Sequence, residues 1–306
     1  MSPSTAVAMS AAVTVSPAVA AALASHQPVV ALESTVYSTL GLPAPHNKRV
    51  LESSHQVITN GGATPALTAV IDGRPVVGLD DPTPVLTATA KVAARDLAVA
   101  MAKRWSVGVT TVGASLTLAH HAGVDVFATG GIGGVHRNAA VTGDISGDLP
   151  VIGRYPIVTV CAGAKAFLDL PRTLEMLETL GVVVIGFGTD ELPAFTTTTS
   201  GLPVPHRMDD PAEIADVLRC RKALGQGGVL VCVPPPEPLD AEVLDAANEQ
   251  AEAAADAAAI TGSARTPYIL GAIADLTNEA SVSANTALVA NNATIATAIA
   301  VALAAG

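Results

Sequence analysis

Lys165 stands in the run Cys161-Ala162-Gly163-Ala164-Lys165, directly after an apolar, β-branched stretch. Small neighbours leave an amine partly desolvated and favour its neutral form, which can attack the aldehyde of an opened sugar and form an imine. A solitary lysine after a strand equally reads as an ordinary surface residue. Glu33 closes the apolar run PVVAL at residues 28–32, and open α/β sheets place their chemistry at such carboxyl ends.

Residues 129–137, TGGIGGVHR, offer a second kind of chemistry. Glycines there let successive backbone amides converge on an anion, with Thr129 at the start of the loop and His136 and Arg137 as further donors. Neither a Gly-Lys-Ser/Thr ending nor the spacing of a dinucleotide fingerprint is present, so a tight turn without a ligand stays open. Downstream, Asp144-Ile145-Ser146-Gly147-Asp148 carries two carboxylates four positions apart. A hard divalent cation such as Mg²⁺ or Mn²⁺ needs only one or two and keeps several waters; an Asp-rich cap and turn has the same spacing. Lys91 lies with Arg95 and Asp96 in a helical-looking stretch and reads on its own as part of a surface salt-bridge cluster. His120-His121 has no carboxylates at ligand spacing and suits a helix end.

The bulk properties narrow the partners. A net charge of -11 and a pI near 4.9 repel polyanions over most of the surface, which argues against nucleic acid, so a phosphate has to be held locally. The mean hydropathy of +0.47 comes with only 3% aromatic residues and much alanine, a small-side-chain signature rather than a membrane one. Cys161, Cys220 and Cys232 are too few and too irregular for a disulfide framework or thiolate cage, and fit core thiols in a reducing cytoplasm. The Ala-rich stretch 1–27 lacks the basic n-region of a signal peptide, and residues 1–15 are expected to be a flexible lead-in. In the Ala-rich last twenty residues, the adjacent Asn291 and Asn292 favour a core or amphipathic helix over a lipid-buried one.

These residues have to be positioned by a repeating pattern. Ser16-Pro17 reads as an N-cap followed by proline at the first helical position. A helix is expected over 47–62, paired strands over 64–71 and 75–78 around Asp72-Gly73, and helix again from near residue 88. Residues 105–111, 124–128, 157–161, 182–186 and 229–233 are β-branched runs, each followed by Gly, Pro or a helical segment. That recurrence predicts a largely parallel sheet covered on both faces. No linker or fixed-period repeat divides the chain, so one domain over 1–306 is expected, with 234–262 a loop and a long acidic, solvated helix.

Taken in order, ALEST with Glu33, KVAARDL with Lys91, GVTTVGAS around Val112, FATGGIGGVHR, DISGDL and VCAGAK resemble the pseudouridine-5′-phosphate glycosidase family, also called the indigoidine synthase A family. The resemblance implies an α/β/α sandwich, a homotrimer and a reversible joining of ribose 5-phosphate to an aromatic carbon, uracil in most members, near one Mn²⁺ (or Mg²⁺) per subunit. It implies Lys165 as the imine-forming nucleophile at C1′, Glu33 as proton donor and acceptor, and Asp144 as the metal ligand. Lys91, Val112, Thr129, His136, Ser146, Gly147, Asp148 and Asn291 are implied as substrate contacts. A branch of the family joins ribose 5-phosphate to an aromatic polyketide in antibiotic biosynthesis. A non-catalytic sugar-phosphate binding protein would show the same glycine loop and aspartates.

The chain departs from the family pattern in two places. After Glu33 it reads STVYSTLGLP, with one residue inserted and no histidine, and residues 196–199 are threonines where relatives often place an arginine. Both departures leave the sugar-phosphate residues in place and are expected to alter what surrounds the aromatic partner.

Overall fold

The computed structural model describes residues 13–260 and 262–306. The first segments are β1 (Thr14–Val15), α1 (Pro17–Ala24), β2 (Val29–Leu32), α2 (His46–Asn60), β3 (Thr64–Ile71), β4 (Arg74–Val77), α3 (Thr83–Leu86), β5 (Lys91–Val92), α4 (Leu97–Ala102) and β6 (Val107–Thr110). There follow α5 (Val112–Ala122), β7 (Val126–Ala128), α6 (Ala139–Thr142), α7 (Asp148–Arg154), β8 (Val158–Cys161), α8 (Leu170–Thr179) and β9 (Val183–Phe187). The last are β10 (His206–Met208), α9 (Pro211–Ala223), β11 (Val229–Cys232), α10 (Ala241–Ala257), α11 (Arg265–Leu276) and α12 (Ala280–Ala304).

The strands form one sheet in the order β1-β4-β3-β2-β7-β8-β11-β9-β10, with β6 beside β3 and β5 beside β6. Pairings are parallel except those of β3 with β4 and with β6, so the sheet is mixed and largely parallel as the β-branched runs predict. Strand β3 is the pivot: residues 64–67 pair with β2 in parallel, and residues 68–71 turn to pair with β4 antiparallel. The β3–β4 turn is Asp72-Gly73, with φ of 49° and 73°, two successive left-handed positions that a short polar residue and a glycine tolerate best.

Alternation along the central strands splits the core. Val30 and Leu32, Val126 and Ala128, Val158 and Val160, Val229 and Val231 pack with α2, α9 and α12; Val29, Ala31, Phe127, Cys161, Leu230 and Cys232 pack on the other face with helices that include α1, α5, α7 and α8. Side chains of period two thus feed two cores and build the three-layer α/β/α sandwich. Helix α12 is long and apolar enough to cross a membrane by composition, yet it lies against α2 and α9 and the ends of β7 and β8, a core helix by its contacts.

Four expectations are corrected. The stretch from residue 88 is not helical around Lys91: β5 runs there, held to β6 through Val109 N–H to Ala90 O (2.9 Å) and Thr111 N–H to Val92 O (3.0 Å), with Val92 fully buried. Thr14 and Val15 are not a loose lead-in, because they extend the sheet beyond β4; residues 1–12 of that stretch lie outside the described residues. Helix α10 is not simply a solvated face, since Leu244, Ala247, Asn248, Ala251 and Ala255 form a buried stripe. Arg137 does not face the glycine loop; its Nε donates to Phe167 O at 3.1 Å.

Candidate active site

The candidate residues gather where parallel strands end. Glu33 follows β2, Thr111 and Val112 follow β6, residues 129–134 follow β7 and Lys165 follows β8, around a cavity of about 710 Å³. Glu33, Lys91, Val112, His136, Asp144, Ser146, Gly147, Asp148 and Lys165 all line it. Thr129 stands behind the wall, buried, and donates its hydroxyl to Glu33 Oε1.

The electrostatics centre on Glu33. Burial pushes its carboxyl up to about 7, against the opposing pull of the Lys165 ammonium and the Thr129 hydroxyl. Burial also lowers Lys91, helped by the charge of Lys165 and opposed by Asp148 and Glu33. Glu33, Lys91 and Lys165 thus line one cavity, in which burial raises the carboxyl and lowers the Lys91 amine. Arg95 and Asp96, which pair at 3.6 Å, line the same cavity as Lys91. Lys165 Nζ donates to Gly131 O at 3.1 Å, which ties the amine to the glycine loop. Gly163, two residues earlier, has φ of 80°, and a Cβ there would collide with the Pro193 carbonyl; only glycine lets the chain turn here and deliver Lys165.

Asp148 is a brace as well as a wall. Its Oδ1 accepts from Gly113 N–H (2.9 Å) and its Oδ2 from Gly133 N–H (3.1 Å), joining the start of α5 to the glycine loop. A Cβ on Gly133 would strike Ser146, so the two loops close only because that position is glycine. Asp144 lies at the cavity edge with His136 Nε2 4.0 Å from its Oδ2, and burial lowers the His136 pKa against the pull of Asp144. Among the described residues no group of three His, Cys, Asp or Glu could cage a metal. A hydrated hard cation needs less: one free carboxylate, Asp144, and a ligand's own oxygens fit it, while Asp148 already serves two amides.

Asn291 is not brought to the cavity. On α12 it is turned about 100° from its neighbour, and Asn292 instead is fully buried, donating to Thr129 O (2.8 Å) and Gly130 O (3.2 Å). Two turns earlier on that face, Asn285 lines the cavity. Further wall residues are Thr35 and Thr111, which stand inside ALEST and GVTTVGAS, and Phe167 and Phe195, which no motif flags. A buried set of hydroxyls braces them, and all but Thr68 stand inside those same two motifs. Thr68 bonds to Thr110 and Ser115 at 2.8 Å, and Ser34 meets Thr110 at 3.0 Å, which fixes the end of β2 to β6 and α5.

A second cavity of about 330 Å³ shares a wall with the first. Residues 39–43 and Thr196 line it, so the two segments in which the chain departs from the family pattern meet at one place.

Known proteins are similar to this chain over most of its length. The model of the family described as indigoidine synthase A like protein matches residues 18–302. The pseudouridine-5′-phosphate glycosidase of Herpetosiphon aurantiacus is 48% identical over 94% of this chain and 96% of its own. That of Paracoccus denitrificans is 48% identical over 95% and 98%. Among solved structures, the prealnumycin C-glycosynthase AlnA in complex with ribulose 5-phosphate superposes with a TM-score of 0.86 at 35% identity, covering 96% of this chain and 97% of that one. An indigoidine synthase A-like protein of Thermotoga maritima gives 0.85 at 28% identity, covering 95% and 96%. The chain belongs to the indigoidine synthase A-like family.

Proposed function

We propose that the protein is an enzyme that reversibly cleaves pseudouridine 5′-phosphate to uracil and ribose 5-phosphate. The observation that carries this reading is Glu33, a buried carboxyl raised to about 7, set among the amines Lys165 and Lys91 in one cavity. A carbon–carbon glycosidic bond has no leaving oxygen to protonate, so the paired-carboxylate route of ordinary glycosidases is unavailable. An amine that captures C1′ supplies the missing electron sink.

In the cleavage direction Lys165 Nζ bonds to C1′ while the C1′–O4′ bond opens and Glu33 gives its proton to O4′. The proton that Nζ sheds on bonding passes to the Glu33 carboxylate; the C1′–ring bond then breaks, its electron pair goes to the ring carbon, which takes that proton from Glu33, and C1′ is left doubly bonded to Nζ. Water hydrolyses that imine and returns ribose 5-phosphate and the free amine. Lys91, the start of α5 at Val112, and residues 146–148 hold the phosphate; His136 and Thr129 orient the sugar and Glu33. A Mn²⁺ or Mg²⁺ held through Asp144, when bound, supplies positive charge against the phosphate. The working unit is proposed to be a cytoplasmic homotrimer, as in the family resembled, which light scattering measures.

Borohydride trapping with ribose 5-phosphate tests the chemistry. Intact mass is expected to show a covalent adduct in the wild type and none in Lys165→Ala; an adduct kept by the variant removes Lys165 from the mechanism. The absence of any adduct in both favours a non-catalytic sugar-phosphate binder. The likeness to a C-glycosynthase supports a second reading, in which ribose 5-phosphate is joined to an aromatic polyketide. Turnover of a naphthoquinone-type acceptor in place of uracil would select it.

A further inference from the structure

Helix α11 walls both cavities, yet it packs chiefly on α10 and α12 rather than on the sheet. Thr266, Pro267 and Leu270 line the first cavity, and Pro267, Leu270 and Ile273 line the second. The end of α11 farther along the chain runs into Asn278 and Glu279, whose φ of 50° and 62° are successive left-handed positions that a glutamate rarely adopts. The end at the first cavity is set by Arg265.

Arg265 is buried, and its guanidinium is shared three ways. Nη1 donates to Ile260 O at 3.1 Å, and Nη2 pairs with Glu252 and, at 2.8 Å, with Asp256, both on α10. The Arg265 and Glu252 side chains are only 10% and 13% exposed. A pair so far from water adds little net stability over apolar residues of the same volume, because desolvation offsets the attraction. What it adds is one geometry, since the planar fork meets a carbonyl and two carboxylates in a single orientation. Thr266 and Pro267, the next two residues, carry that geometry onto the cavity wall. The network also reaches His136: burial lowers its pKa, Asp144 and Glu252 raise it, and Arg265 lowers it.

We propose that Arg265 is a positioning residue, which through Glu252 and Asp256 fixes the first turn of α11 as a wall against which the phosphorylated sugar binds. This rests on the sugar-phosphate reading of the first cavity. Loss of the network weakens capture of the sugar and leaves the amine of Lys165 able to react.

The test is borohydride trapping at a fixed time, titrated with ribose 5-phosphate, in wild type, Arg265→Lys, Arg265→Met and the double variant Glu252→Leu/Arg265→Met. The double variant leaves no buried charge unpaired, so its melting temperature is expected within about 3 °C of wild type. In both methionine variants the half-saturating sugar concentration rises about tenfold, and in Arg265→Lys, which keeps the charge and loses the fork, about threefold. The adduct yield at saturating sugar stays that of wild type in all of them, a split that general loss of structure would not give. Should neither methionine variant fold, Arg265→Lys carries the comparison. A half-saturating concentration equal to that of wild type in a folded variant, or an adduct yield that falls at saturating sugar, overturns the proposal. A wild type that traps no adduct overturns the sugar reading instead.

Discussion

The hydroxyl of Thr129 donates to Oε1 of Glu33, so the loop that begins the glycine run also sets the proton affinity of the buried acid. In the proposed cleavage Glu33 acts with its proton on, so kcat/KM is expected to fall as pH rises through about 7. Thr129→Val removes a contact that lowers the pKa, so the falling limb moves to higher pH. A pH–rate profile with an unmoved limb would show that another group titrates.

The same burial has a stability sign. The folded pKa of about 7 lies above the ordinary 4.5, so the stability associated with the protonated carboxyl is complete below 4.5 and is lost as pH rises through 7. The loss is on the order of 3 kcal/mol once the carboxyl is ionised. Glu33→Gln carries no such burden. Urea unfolding is expected to find the variant more stable than wild type at pH 8 and nearly equal at pH 4, and equal stability at pH 8 would refute the burial.

Asp148→Ala leaves the N–H groups of Gly113 and Gly133 without their acceptor. The expected cost is about 2–4 kcal/mol in denaturant unfolding, with a fall of at least about a hundredfold in kcat/KM as α5 and the glycine loop separate. Full stability in the variant would reduce Asp148 to a wall residue.

Chelation is expected to raise the KM for the phosphorylated sugar and to be reversed by Mn²⁺ or Mg²⁺, whereas Asp144→Ala responds to neither treatment. Because Asp144 is the one free carboxylate proposed for the cation, turnover indifferent to chelator in the wild type would dismiss a metal role.

The central strands were legible because apolar β-branched runs in a doubly covered sheet need no partner to announce themselves, and the Asp72-Gly73 turn because its left-handed pair has few alternatives. Lys91 misled: Ala and Arg neighbours carry helical propensity, but two ladder bonds from β6 and the burial of Val92 override it. Asn291 and Asn292 are indistinguishable as letters, and only the phase of α12 against β7 decides which one reaches Thr129. Residues that reach the cavity by tertiary approach alone, such as Asn285 and Phe195, carry no local pattern at all.

The amide that holds the carbonyls of Thr129 and Gly130 comes from Asn292, 163 and 162 positions later in the chain. During synthesis the ribosome thus delivers the lysine long before the buttress that shapes its surroundings. A growing polypeptide therefore carries an unfinished pocket until the final helix has docked.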